Sequence, residues 1–430
     1  MGKKQNIRVD LNLNIRGLKK SATLAINERS RELQAEGKKI FRLGFGQSPF
    51  PVPEPVVEAL RQHAHEKDYL PVKGLPALRQ AIAGYYQRKH GLGRSAEDVL
   101  IGPGSKELLF LLQLVYYGDL VIPRPSWVSY SPQAIIVGRQ VHWAATRQEN
   151  NWRLMPEELE AICQPDPERP RIVILNYPAN PTGATYTIER LKKLAEVARK
   201  YKVILLADEI YGELHHTGQH VSIARFYPEG TIVSSGLSKW CGAGGWRLGL
   251  FIFPPSLRWL LDAMAVVASE TFTATSAPIQ YAAVEAFLPN AAIEAYLDDA
   301  RRILRAIGRR MHQQLERHEV FAPKPQGGFY LFPNFGFYKN SLQKRGMANS
   351  YQFCEQLLND TGVALLPSHD FGQPQEELTA RLSYVDFDGA YALQLAREAY
   401  RELPLDNGFV DACCADMLDA VERLGHWLKG

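Results

Sequence analysis

Cysteine is scarce and scattered in this chain: five residues in 430, Cys163, Cys241, Cys354, Cys413 and Cys414. An odd, irregular set excludes a disulfide framework. The lack of any Cys-x-x-Cys pair removes the usual signature of structural zinc. Long apolar runs are missing too. The longest, around Leu108–Tyr117, is broken by Gln113 and falls far short of the roughly 20 residues a membrane helix needs. The opening MGKKQNIRVD holds no apolar leader segment, and Asn6 stands where a myristoylation pattern wants Ser or Thr. Charge of one sign is also lacking. The net charge is +4 over 430 residues, with no dense Lys/Arg tract, which excludes an extended nucleic-acid surface. His63-Ala64-His65 and His215-His216 have no helical metal spacing. The expectation is a cytoplasmic protein with no membrane, nucleic-acid or metal partner.

What the chain does have is core material. Apolar residues make up 46% and charged residues 22%, and 430 residues exceed one ordinary compact domain. Short β-rich runs alternate with amphipathic stretches. Strands are expected at Val99–Ile101, Leu120–Ile122, Arg171–Leu175, Val203–Ala207, Thr231–Ser235 and Leu248–Phe253. Helices are expected at Ala22–Glu36, 55–65, Lys106–Tyr117, Glu189–Tyr201 and Ala291–His318. Several of the strands are apolar throughout, which suits a sheet buried on both faces. The fold class that follows is α/β, with a mostly parallel sheet flanked by helices.

In such a sheet, ligands gather beyond the carboxyl ends of the strands. In chain order, the residues that follow the expected strands are Gly102-Pro103-Gly104-Ser105-Lys106, Pro123-Arg124-Pro125-Ser126-Trp127, Asn176-Tyr177-Pro178-Ala179-Asn180-Pro181-Thr182-Gly183, Asp208-Glu209-Ile210-Tyr211 and Gly236-Leu237-Ser238-Lys239, with Gly245-Trp246-Arg247 close behind. This inventory fits a flat, anionic, electrophilic pyridine cofactor. Backbone N–H groups and the Ser105 hydroxyl at a helix start can hold a phosphate, and Arg247 can clamp it. Trp127 can stack on the ring. Asp208 can pair with a protonated ring nitrogen. Asn180 and Tyr211 can bond the ring hydroxyl, and Lys239 can join the aldehyde covalently. Each piece alone is ordinary turn, cap or core chemistry; their order after successive strands is the signal.

Those motifs resemble the class I aminotransferases of pyridoxal-5′-phosphate (PLP) fold type I. The carrying residues are Asn180-Pro181-Thr182-Gly183, Asp208-Glu209-Ile210-Tyr211, and Ser238-Lys239 followed by Gly245-Trp246-Arg247-Leu248-Gly249, with Lys239 eight residues before Arg247. The resemblance extends from about Ser21 to Asp386. It implies a PLP-dependent aminotransferase in which Lys239 binds the cofactor, with Asp208 and Tyr211 beside it as catalytic groups. Asn180 and Trp127 would hold the ring, and Gly104, Ser105 and Arg247 the phosphate. Tyr69 matches a tyrosine that reaches the phosphate of a neighbouring subunit, so a homodimer with shared sites is implied. Arg381 and Gly46 match the groups that take the substrate α-carboxylate. The aspartate and prephenate aminotransferase subgroup is nearest, through Ser21-Ala22-Thr23 and Ser126–Tyr130. Its pattern would place Thr23 and Lys106 at the distal carboxylate of an acidic substrate, although Lys106 can equally be a first-turn residue facing solvent. The implied architecture is an arm (1–30), a large PLP-binding domain (66–309) and a smaller α/β domain from both termini (31–65 and 310–430).

The chain departs from the family pattern in places. Gln47-Ser48-Pro49-Phe50 replaces an acidic residue followed by Pro-Asp-Phe. Gly236 stands where a hydroxyl residue often does, so Ser235 or Ser238 must supply any hydroxyl to the phosphate. These departures bear on which amino acid is used: aspartate, glutamate or an aromatic one. The alternative activity is a PLP-dependent lyase or a cyclopropane-carboxylate-synthase-like reaction.

Overall fold

The computed structural model describes residues 12–18, 22–401 and 403–430, without the side chains of Ala22 and Thr23. Seven strands form the main sheet: β1 (Val99–Gly102), β2 (Asp119–Arg124), β3 (Val141–Ala145), β4 (Arg171–Asn176), β5 (Ile204–Asp208), β6 (Thr231–Gly236) and β7 (Gly249–Ile252). Their order is β1-β7-β6-β5-β4-β2-β3. β7 runs antiparallel to β1 and β6, and the remaining pairs are parallel. The mixed α/β class and the mostly parallel sheet are therefore as expected.

Strand alternation explains the burial on both faces. On β4 and β5, Ile172, Ile174, Ile204 and Leu206 join one apolar cluster, with Leu108, Leu112 and Met264. Val173, Leu175, Leu205 and Ala207 join another, with Leu191, Leu194 and Ala198. The first cluster lies under helices Ser105–Val115 and Arg258–Ser269, and the second under Ile188–Lys200. Each fully buried Leu or Ile contributes roughly 1.5–3 kcal/mol. The same alternation sends Asp208, at the end of β5, to the Ile204–Leu206 face.

Helix Ala291–Arg317 is capped by Asn290, whose side chain accepts from the Ala292 and Ile293 amides. Beyond it lies a three-stranded antiparallel sheet in the order β8-β10-β9, made of β8 (Tyr330–Leu331), β9 (Leu366–Pro367) and β10 (Ala380–Ser383). Among the described residues, no helix is long and apolar enough to cross a membrane.

One close approach fixes the first helix of the site onto the sheet. A Cβ on Gly249 would lie 2.0 Å from the Ser105 nitrogen and 2.3 Å from the Gly104 carbonyl carbon. Both neighbours are backbone, so they cannot turn aside. Gly249→Ala is expected to push helix Ser105–Val115 off β7 and cost about 1–3 kcal/mol, read as a lower midpoint in denaturant melts. An unchanged midpoint would contradict this account of the helix seat.

Candidate active site

The loops after β1, β2, β4, β5 and β6 meet over one end of the large sheet, and β10 faces them. Asp208 ends β5 at 3% exposure. Its Oδ2 accepts from the Tyr130 hydroxyl at 2.5 Å, and Oδ1 from the Ser234 hydroxyl and the Ile210 amide at 3.4 Å each. Among the described residues, no Lys, Arg or His is ion-paired to it. Burial pushes its carboxyl up to about 6, with the three donors pulling the other way. No sequence motif marks Tyr130 for this role; it opens helix Tyr130–Ile136, its amide donating to the Trp127 carbonyl at 3.2 Å. Its ring stands edge-on to Trp127, centroids 5.3 Å apart.

Lys239, on the loop after β6, is partly buried. Its Nζ donates to the Gly46 carbonyl at 2.5 Å. Burial lowers its amine to about 8, helped by Arg381, Arg247 and Lys106 and opposed by Asp208. Tyr211 is 3% exposed, and its hydroxyl is 2.8 Å from that of Tyr330. Tyr330 is another residue the sequence reading passed over.

Arg381 comes from β10 and is 2% exposed. Nη1 donates to Asn180 Oδ1 at 3.1 Å and Nη2 to the Gly44 carbonyl at 2.6 Å. Nε is buried without a hydrogen-bond partner. No carboxylate is ion-paired to the guanidinium among the described residues, and it lies over the rings of Tyr330 and Phe371 at 4.7 and 5.3 Å. The segment Leu43–Gly46 is thus held by three side chains at once: Ser383 to the Leu43 carbonyl, Arg381 to Gly44 and Lys239 to Gly46.

The first loop forms a shallow cradle. Gly104 has φ +91°, a conformation that side chains disfavour. A Cβ there would meet Arg247 Nη2 at 2.2 Å. Gly104 caps helix Ser105–Val115 with no side-chain bond to the first-turn amides, so that helix start, with the Arg247 guanidinium against it, suits an anion. Lys106 Nζ sits 5.2 Å from the centre of the Trp127 ring, so the side chain crosses that ring.

The remaining expected residues are spread more widely. Ser235 lies against the Tyr86 hydroxyl, on the strand face opposite Ser234. Ser238 is on the Lys239 loop. Tyr69 is 90% exposed. Thr23 lies outside the described residues. Among the described residues, no group of three His, Cys, Asp or Glu side chains is placed to hold a metal ion.

A pyridine cofactor with a phosphate and an aldehyde needs an anion for its ring nitrogen, donors for its ring oxygen, an anion cradle and a low-pKa amine. The buried Asp208, the Tyr211–Asn180 side, the helix start beside Arg247 and Lys239 fit those needs.

The sequence profile of the family described as aminotransferase class I and II matches residues 38–386. The chain is 35% identical to an aspartate aminotransferase of Geobacillus stearothermophilus over 86% of this chain and 93% of that protein. It is 31% identical to the aspartate/prephenate aminotransferase of Thermus thermophilus over 84% and 91%. The solved structure of aspartate aminotransferase from Thermus thermophilus with maleate superposes with a TM-score of 0.83 at 28% identity, over 97% of this chain and 100% of that one. The lyase alternative is not favoured by these relatives. The chain belongs to the class I and II aminotransferases and is a pyridoxal-phosphate-dependent enzyme that moves an amino group between an amino acid and a 2-oxo acid.

Proposed function

We propose that the enzyme transaminates acidic L-amino acids, aspartate or glutamate first, with the residues of this rim in the following roles. The observation that carries the reading is a pair of buried, unpaired opposite charges, Asp208 and Arg381, with the Lys239 amine in the electrostatic reach of both.

Bound pyridoxal phosphate supplies an aldehyde and a ring that accepts the electron pair released when the substrate loses its α-proton. Lys239 holds the aldehyde at rest, then as a free amine moves the proton from the substrate Cα. Its pKa, lowered to about 8, leaves it basic while giving a far larger share of free amine near neutrality than an ordinary lysine has. Asp208 pairs with the ring nitrogen, held in place by Tyr130 and Ser234. Tyr211 and Asn180 bond the ring oxygen, and Trp127 lies on the ring face. Gly104, Ser105, Lys106 and Arg247 with Ser238 form the phosphate cup, completed by Tyr69 of the partner subunit. Ser235, turned toward Tyr86, is the weaker of the two serine candidates. Arg381 grips the α-carboxylate as a planar fork, with the Gly46 backbone beside it. Lys106 and Thr23 meet the distal carboxylate.

A homodimer follows from the reach assigned to Tyr69, whose exposure suits a contact with a second chain. The three-stranded sheet supports a small domain of 31–65 with 310–430, set against a large one of 66–309 and an arm of 1–30. All five cysteines are free thiols, which suits a reducing cytoplasm.

Lys239→Ala tests the reading. After borohydride treatment and dialysis, the wild type should retain cofactor covalently and the variant should lose it, with kcat falling by at least about 10²–10⁴-fold. Retention by the variant would remove Lys239 from its role. The pH dependence is a second check. Free amine increases with pH, so the rate of cofactor capture by the stripped enzyme should reach half its maximum near pH 8 and level about one to two units above that. A half-maximum displaced to the ordinary lysine value of 10.5 would contradict it. Thirdly, Lys106→Ala should raise KM for aspartate and glutamate by roughly tenfold or more while alanine changes little. Equal losses for both classes would contradict the acidic-substrate reading.

A further inference from the structure

Tyr330 and Arg381 stand on one face of the small sheet because of register. Tyr330 pairs with Ser383 across β8 and β10, and Ser383 is two residues from Arg381, so all three side chains point the same way. That face looks onto Tyr211. The Tyr330 hydroxyl lies 2.8 Å from the Tyr211 hydroxyl, and either oxygen can donate. The Tyr330 ring carries the Arg381 guanidinium at 4.7 Å. Tyr330 is 1% exposed, so no water competes for its proton.

We propose that Tyr330 is a positioning residue for the transamination: its hydroxyl donates to Tyr211, so that Tyr211 in turn donates more strongly into the cofactor site. The inference rests on the reading that Tyr211 faces the ring oxygen. Once the Tyr211 proton is committed to that oxygen, the only direction left for the tyrosine–tyrosine bond is Tyr330 to Tyr211. Hydrogen bonds in a chain polarise one another, more so in a dry interior. The guanidinium over the Tyr330 ring draws electron density from it and makes its hydroxyl the better donor. One tyrosine thus links the group that grips the substrate carboxylate to the group that touches the ring oxygen, and it does so from a different sheet.

The consequence has a sign. A donor to the ring oxygen competes with the proton that the Lys239–cofactor linkage carries. Weakening that donor favours the protonated linkage and raises the pH at which the visible absorbance of the holoenzyme changes. The charged groups facing Lys239 are Arg381 from β10, Arg247 from its own loop, Lys106 from helix Ser105–Val115 and Asp208 from β5. None of them changes in a Tyr→Phe substitution at position 330 or 211.

Spectrophotometric pH titration of four holoenzymes tests the inference: wild type, Tyr211→Phe, Tyr330→Phe and the double variant. Tyr211→Phe should raise the midpoint. Tyr330→Phe should raise it less, by at least about 0.3 pH unit, and should add nothing in the Tyr211→Phe background. Because the ring beneath Arg381 is kept, kcat of Tyr330→Phe should fall several-fold while KM for the amino acid stays within about twofold. A Tyr330→Phe midpoint equal to wild type, with Tyr211→Phe shifted, overturns the inference and leaves the site reading standing. An unshifted Tyr211→Phe removes Tyr211 from the ring oxygen and the inference with it. A Tyr330→Phe chain that cannot fold or load cofactor shows a purely structural tyrosine, which also overturns it.

Discussion

A carboxylate buried without a cation is the constraint around which this site is organised. Asp208 ends a strand whose every residue is buried, and the carboxyl is pushed up to about 6 from an ordinary value of 3.8. Well below pH 3.8 the group is neutral in folded and unfolded chains alike, and the burial has no ionic cost. The cost grows as pH rises through that interval and is complete above it, at about 3 kcal/mol. Three donors reduce this cost but do not remove it. A cationic ring nitrogen placed against the carboxylate, as proposed for this site, would. Binding energy and folding energy are then the same quantity, and the cofactor stabilises the fold that receives it.

Arg381 shows the same logic with the opposite sign. Its guanidinium is buried over two rings, bonded to one side-chain oxygen and one carbonyl, with Nε unused. Two opposite charges in one site would ordinarily neutralise each other. They do not do so here because they hang on different sheets: Asp208 on the fifth strand of the large one, Arg381 on β10 of the small one. Asn180 meets β10 through its Oδ1, which accepts from Arg381, and among the described residues neither charge has an ion-pair partner. In the proposed roles, the separation leaves Asp208 for a pyridinium and Arg381 for the carboxylate of an amino acid.

Much of this was legible before any coordinates. Short β-rich runs of three to five residues flanked by turn chemistry marked β2, β4, β5 and β6 to within a residue or two, because strands buried on both faces carry no alternation to misread. β3 was missed for the converse reason. Val141–Ala145 lies at the sheet edge, where His142, Trp143 and Ala145 are exposed, so it lacks the apolar run that betrayed its neighbours. Asp208, Asn180 and Lys239 were visible because strand ends localise polar residues. Tyr130 and Tyr330 were not. Tyrosines near Trp127 and Phe329 read as core, and the fact that one bonds Asp208 and the other Tyr211 is a matter of contacts spanning 78 and 119 residues, which no local pattern encodes.

The two overlooked tyrosines also show where the precision of the site comes from. Carboxylates, amines and guanidinium groups announce themselves, but their directions are set by neutral side chains held in packed surroundings. Tyr130 is clamped between Trp127 and the apolar cluster beneath helix Ser105–Val115, and so aims its hydroxyl at one oxygen of Asp208. Tyr330 is clamped between Phe329, Tyr211 and Arg381. Both are fully buried, so an error in either aim could not be corrected by solvent. The reactive groups fix what chemistry is available; the packing of these uncharged neighbours fixes the angles at which it can be carried out.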